Sequence, residues 1–422
     1  MLQATSYSPH RRYKKSSRPE SMTRSGAADG VAGGRQFLLV LSLGLLSALT
    51  PLAIDMALPG FLFIETEYGL APGRAAATIS LFLVAFAVGP LVFGPLSDHF
   101  GRRPVLLLGL VLFTTGGAVC FGSVGMNSLL AGRVLQGLGA GICSSVAIAI
   151  VRDLFVGRRG RAILTLMTLV MGLAPIVAPV LGSVVVNLSG WRQVFLVLCL
   201  TGGSLLLFML ASFSESVQAV RANPLTLVRV LDGYRRAANS RIFTGYGLCN
   251  GFNFAAMFAF VSSSPTVFMG QFGVSVDVFG GIFALIAAGI IAGAGINSGL
   301  LKTGLAPAAV LGASLVVTVL SSLGLLIGGV AGHLNVGWAV ALLVLNNTAT
   351  GLIRPNATHE AMQPLPDIAG SASALFRGGQ MLIGAAAVWL LEGLNHEPLV
   401  DMALVMSVCA VASVTFFLRT PR

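Results

Sequence analysis

The sequence predicts an all-α membrane protein with twelve transmembrane helices, six on either side of a polar central link. Three observations predict it. Of 422 residues, 55% are hydrophobic and only 10% are charged, against the ~25% of an ordinary soluble chain. The apolar residues fall in long charge-free runs of the length a bilayer crossing needs, ~20 residues. The cations between the runs lie almost all on alternate loops. A chain so poor in polar surface groups cannot clothe itself for water, which excludes a soluble enzyme, a nucleic-acid-binding protein and a disordered chain. Period-2 alternation is absent, which excludes a β-barrel.

The spans are read in order. Span one, 36–59, encloses one acid, Asp55. Charge-free runs at 75–97 and 104–132 give spans two and three. Residues 127–132 join 134–151 through Arg133 to make span four. Runs at 162–191 and 193–214 give spans five and six, and 242–276 and 278–301 give spans seven and eight. Residues 303–353 hold spans nine and ten, folded at Gly332-His333-Leu334-Asn335. Span eleven, 369–391, encloses Arg377, and 402–418 completes span twelve. The starts fall near residues 36, 75, 104, 127, 162, 192, 242, 278, 305, 336, 369 and 399. The divisions are a basic tail at 1–35, a first bundle at 36–213, a link at 214–241 and a second bundle at 242–418.

All but four of the 26 cations, Arg354 among them, fall in the tail, the link and the loops on the tail's side. Arg74 and Arg192 lie on the other side, and Arg133 and Arg377 lie within spans. By the positive-inside rule both termini are cytoplasmic, so the net charge of +11 is an orientation signal. The tail has no apolar period and reads as disordered. Its two acids argue against a transit peptide, and Met22 is an alternative start to Met1. The five cysteines lie singly in apolar runs and no histidines are paired at i, i+4, so no metal site is expected.

The strongest local signal is Gly94-Pro95-Leu96-Ser97-Asp98-His99-Phe100-Gly101-Arg102-Arg103-Pro104, between spans two and three. Its glycines allow a tight turn, Pro104 suits the start of a helix, and Asp98 and Arg102 can pair if the turn is helical. Taken on spacing alone it is equally a charged turn obeying the positive-inside rule. It resembles the signature loop of the major facilitator superfamily. More narrowly, the chain resembles the Bcr/CflA-type drug-resistance exporters. The supporting segments are Ile54-Asp55-Met56-Ala57-Leu58-Pro59, the Arg133–Ala140 run with Val151-Arg152-Asp153-Leu154-Phe155, the Ala174–Gly182 run with Gly190-Trp191-Arg192, and Pro355-Asn356-Ala357-Thr358 with Ala369–Leu375. The resemblance implies two pseudo-symmetric six-helix bundles around a central cavity. It also implies export of small amphipathic molecules in exchange for protons, driven by the proton gradient without a cofactor, by a monomer in the bacterial inner membrane.

On its own terms, Asp55 is the one acid inside a span. A carboxyl at that depth faces protein or water and is functional by default; one that exchanges between neutral and ionised forms is what a proton carrier needs. The alternative is a cap on the outer end of span one beside Pro59. Arg133, with Gln136 one turn on, either tunes Asp55 or snorkels to the outer surface. Pro175 and Pro179 kink span five beside Ala178 and Gly182. The resemblance marks this segment as typical of antiporters, although Ala178 stands where many members have glycine. Asp98, Arg102, Arg103 and Asp153, with Gly94 and Gly101, form the expected cytoplasmic gate. The substrate cavity is expected to draw on Met56, Asn250, Phe252, Asn253, Phe254, Asn346 and Asn347. Arg377 departs from the family pattern; it either pairs with an anionic substrate or snorkels toward the cytoplasm.

The functional expectation is a proton-coupled drug or antibiotic exporter, with a metabolite exporter (sugar, peptide or nucleoside) as the alternative cargo. An enzyme would need a cluster of intramembrane acids or histidines, and Asp55 stands alone. ATP-driven transport would need a phosphate loop ending Gly-Lys-Ser/Thr, and none is present.

Overall fold

The computed structural model describes residues 26–155, 157–215 and 227–421. Among them are twelve helical segments long and apolar enough to cross a membrane. These are Leu38–Tyr68, Arg74–Phe100, Arg102–Phe121, Met126–Leu154, Ala162–Ser189 and Arg192–Ser212 in the first half. In the second they are Arg241–Gln271, Val276–Lys302, Pro307–Val330, Val336–Met362, Pro366–Glu392 and Pro398–Arg419. Each starts within three residues of the position predicted for it. The first helix begins earlier, at Gly26, inside the segment read as a tail; residues 1–25, including the alternative start at Met22, lie outside the described residues. The central link contains a further helix, Leu227–Asn239.

The two halves repeat one packing plan. Span one packs on spans four and five, span two on four, and span three on four and six. Six spans later, span seven packs on ten and eleven, eight on ten, and nine on ten and twelve; the halves differ in that span seven also packs extensively on span twelve, whereas span one barely touches span six. The halves meet along two seams, span five on span eight and span two on span eleven, which a pseudo-twofold axis interchanges. Without a hydrophobic drive between helices in lipid, close approach relies on small residues. The equivalent contacts of spans two with four and eight with ten both use facing glycines. A β-carbon at Gly89 would lie 2.6 Å from the Gly141 Cα, and one at Gly351 would lie 3.0 Å from the Gly293 Cα.

Two faces follow. One carries the Gly94–Pro104 loop and the link helix and is called here the loop face. On the opposite face the halves are joined across both seams. The Asn187 amide donates to the Asp277 carboxylate between spans five and eight, and the Ser80 hydroxyl donates to Glu392 at 3.4 Å between spans two and eleven.

Candidate functional site

Span one runs through Pro51 and is interrupted at its second proline, Pro59. Its first helix ends at Asp55, a 3-10 turn covers Leu58–Gly60, and Phe61–Tyr68 resumes the span. Asp55 therefore sits at a break inside the span, which sets aside the reading of it as an end cap. Its side chain is 6% exposed, and among the described residues it forms no hydrogen bond or ion pair. The break is held from span five. A β-carbon at Gly182 would fall on the Met56 carbonyl, and one at Gly280 of span eight would come within 3.1 Å of the Pro179 carbonyl. Ala178 is fully buried. The Pro175–Gly182 segment, inside one continuous helix, thus lies at the junction of spans one, five and eight, on an inter-bundle seam.

Asp55 lines a central cavity of ≈ 180 Å³ between the bundles. Thr50, Pro51 and Ile54 flank it on span one, with Phe86 of span two, Ser144 of span four and Pro175 of span five. The other wall is aromatic and cationic: Phe254, Phe258 and Phe260 of span seven, Asn347 and Arg354 of span ten, and Arg377 and Gln380 of span eleven. A few polar groups on an apolar, aromatic wall is the make-up of a small-molecule site.

Two of the seven expected contacts, Phe254 and Asn347, line this cavity. The other five do not, each for a visible reason. Met56 presents its backbone to Gly182. Asn250 donates to the Gln380 side chain at 2.9 Å. Phe252 stacks on Phe416 with ring centroids 5.5 Å apart. Asn253 is 1% exposed within the bundle. Asn346 donates to the Thr318 carbonyl and to the Ser321 and Ser322 hydroxyls at 3.2, 2.9 and 3.1 Å, tying span ten to span nine.

Arg354 is a further correction. Counted as a loop cation, it lies inside Val336–Met362, which runs on through Pro355, and its guanidinium sits 5.8 Å from the Phe254 ring centroid. Arg377 lines the same cavity wall and is half-buried.

Arg133 does not snorkel. It is 1% exposed and donates to the Ala53 and Thr78 carbonyls at 3.0 and 3.3 Å and to Gln136 Oε1 at 2.6 Å. Phe82 lies against its guanidinium face at 4.5 Å, a cation–π contact. Its link to Asp55 is through the Ala53 backbone, two residues earlier on the same helix, and not by direct pairing.

At the loop face, Arg102 is 5% exposed. It pairs with Asp98, with Asp153 at 2.9 Å and with the Ser97 hydroxyl at 2.6 Å. Sequence reading missed Glu215, whose carboxylate accepts from the Arg102 and Arg103 backbone amides at 2.9 and 3.1 Å. The Arg103 side chain donates to the Leu210 carbonyl at 2.9 Å. The pair of Asp98 and Arg102 forms across a break, not along one helical turn: the helix Gly94–Phe100 ends and another begins at Arg102. Gly101, at φ 99°, makes the turn in the region that favours glycine. Gly94, at φ −55°, is simply helical. Pro104 falls in the first turn of the new helix.

This network belongs to the first bundle and the first residues of the link, with no member from the second bundle among the described residues. A second cavity of ≈ 960 Å³ separates it from span eleven, lined also by Arg229, Asp232 and Tyr234 of the link helix. Tyr234 is half-buried and donates to the Leu91 carbonyl at 2.7 Å; burial pushes its hydroxyl above the ordinary phenol pKa. Arg377 lines both cavities, so they meet at its side chain. The bundles are thus joined at one face and parted at the loop face.

A profile of the Major Facilitator Superfamily matches residues 43–388. The chain is 29% identical over 392 residues to a bicyclomycin resistance protein homolog of Haemophilus influenzae, covering 92% of this chain and 97% of that one. It is 26% identical over 392 residues to the multidrug resistance protein MdtL of Shewanella oneidensis, covering 91% and 96%. Among solved structures, a peptide transporter POT in complex with alafosfalin superposes with a TM-score of 0.72 at 14% identity, covering 90% and 92%; that likeness concerns the fold.

Proposed function

The chain belongs to the Major Facilitator Superfamily, and we propose that it exports small amphipathic drugs or antibiotics in exchange for protons. It is an integral membrane transporter, and its relatives named for bicyclomycin and multidrug resistance support a drug as cargo. The observation that carries the coupling is Asp55. It is a carboxyl buried at a helix break, without a fixed partner among the described residues, on the wall of the cavity that lies between the bundles. A group so placed can hold a proton or a substrate but gains from having one of them. The loop face is the cytoplasmic one in this reading, both termini lie there, and the protein works as a monomer in the bacterial inner membrane. One proton entering at ~150 mV supplies roughly 3 kcal/mol, so no cofactor is invoked.

In the cycle we propose, substrate enters from the cytoplasm past Arg377 and meets Asp55. The bundles then rock about the two seams to open the opposite face. The Pro175–Gly182 segment is the proposed pivot, because it touches the break in span one and the seam with span eight at once. Arg133 and Gln136 position the Asp55 turn through Ala53. The corner of Gly94, Asp98, Gly101, Arg102, Arg103 and Asp153 is the proposed gate that docks on the second bundle when the loop face closes.

The test is expression in an efflux-deficient bacterium against a panel of antibiotics. Raised resistance to several chemically distinct drugs, lost with a protonophore and lost in Asp55→Asn, supports the proposal. Resistance that survives the protonophore refutes proton coupling, and no resistance to any drug favours a metabolite as cargo.

A further inference from the structure

We propose that the central cavity takes a zwitterion, with its carboxylate against Arg354 and Arg377, its ammonium toward Asp55 and an apolar or aromatic body between. The inference rests on the export reading and narrows its cargo.

The charges of the cavity are divided by bundle. Asp55 stands on span one of the first bundle, and Arg354 and Arg377 stand on spans ten and eleven of the second. Among the described residues none of the three forms a hydrogen bond or ion pair, although Asp55 is buried and the two arginines are half-buried. Charges at this depth call for partners. Two guanidinium groups on one wall suit a carboxylate, which accepts their planar donors in pairs. The Phe254 ring beside Arg354 supports the cation and extends the apolar wall toward the body of the guest.

The way in is balanced except at its inner end. In the loop-face cavity Arg102 is taken up by Asp98 and Asp153, and Arg236 by Asp367. Arg152 and Arg229 remain against Asp232, leading to Arg377. Four arginines thus face four aspartates along the path, and the unbalanced charge is Arg377 at its inner end, which meets the anionic end of a molecule.

A simple cation would be opposed by both arginines. A simple anion would be opposed by ionised Asp55, and once bound would hold a proton on that carboxyl instead of releasing it. A zwitterion satisfies both walls, and its ammonium competes with the proton for Asp55, which is the mutual exclusion an exchanger needs.

The test is calorimetric binding to the purified full chain in lipid nanodiscs with three matched probes: 4-phenylphenylalanine, its amide and 3-(4-biphenylyl)propanoate. These are a zwitterion, a cation and an anion on one apolar body. The zwitterion should bind about tenfold or more tightly than either other probe. Arg354→Gln and Arg377→Gln should each weaken it about tenfold while leaving the amide unchanged or tighter. Asp55→Asn should weaken it while leaving the propanoate unchanged or tighter. Arg354→Lys, which keeps the charge, should retain part of the preference. Amide or propanoate binding as tight as the zwitterion, no zwitterion binding, or an equal loss of all three probes in the arginine variants would overturn the proposal. No gradient is present in this assay. A protein that keeps the charge preference but fails to couple export to protons therefore counts against the export reading alone.

Discussion

Arg133 in the first bundle and the pair Arg354 and Arg377 in the second are the same residue type placed in membrane spans, and the protein treats them in opposite ways. Arg133 is walled in, with two backbone carbonyls, a glutamine oxygen and an aromatic face for partners. Arg354 and Arg377 line a cavity with no hydrogen-bond or ion-pair partner among the described residues, and Arg354 has only the Phe254 ring beside it. A guanidinium enclosed by protein acceptors, here through Nε and Nη1 while Nη2 has no hydrogen-bond partner among the described residues, holds structure, and one left to face a cavity is held for something that comes and goes. Arg102 is an intermediate case, satisfied by two carboxylates yet set at the edge of the larger cavity.

Substitution sharpens the contrast. Arg133→Ala should cost most, about 3 kcal/mol or more, because three buried acceptors lose their donor at once. Thermal unfolding of the detergent-purified variant measures this, and a loss under ~1 kcal/mol would mean those contacts carry little. Arg102→Gln should cost about 2 kcal/mol, since Asp98 and Asp153 keep some access to solvent. Asn346→Ala should cost about 1 kcal/mol and leave transport intact. Asn347→Ala should alter transport with a smaller effect on melting. Reversed outcomes for that pair would exchange their assigned roles. Arg354→Gln and Arg377→Gln should shift stability least, within ~1 kcal/mol, because they remove like charges that face each other and solvent. Melting as damaged as that of Arg133→Ala would break the comparison.

The twelve spans, the buried acid Asp55 and the Arg102 corner were legible because each leaves a local mark: charge-free length, a lone intramembrane acid, a glycine between paired charges; the break in span one at Asp55 was not. What was not legible depends on helix phase and on distant chain. Asn346 and Asn347 are adjacent, but ~100° of rotation sends one to span nine and the other to the cavity. Arg354 reads as a loop cation because Pro355 and Asn356 follow it, yet the helix continues to Met362 and carries the arginine inside. Glu215 reaches the Arg102 corner from the start of the central link, more than a hundred residues along the chain. No spacing announces that. Phe252 and Phe254 share composition, and only the packing of Phe416 against the first separates a helix contact from a cavity wall.

The central claim is that Asp55 exchanges a proton for substrate. It is tested most directly by measuring proton release from the purified protein in weakly buffered detergent when the antibiotic to which it confers the strongest resistance is added. The wild-type protein should release protons on binding, and Asp55→Asn should bind without release. Equal release from Asp55→Asn, or none from the wild type on saturable binding, would contradict the account.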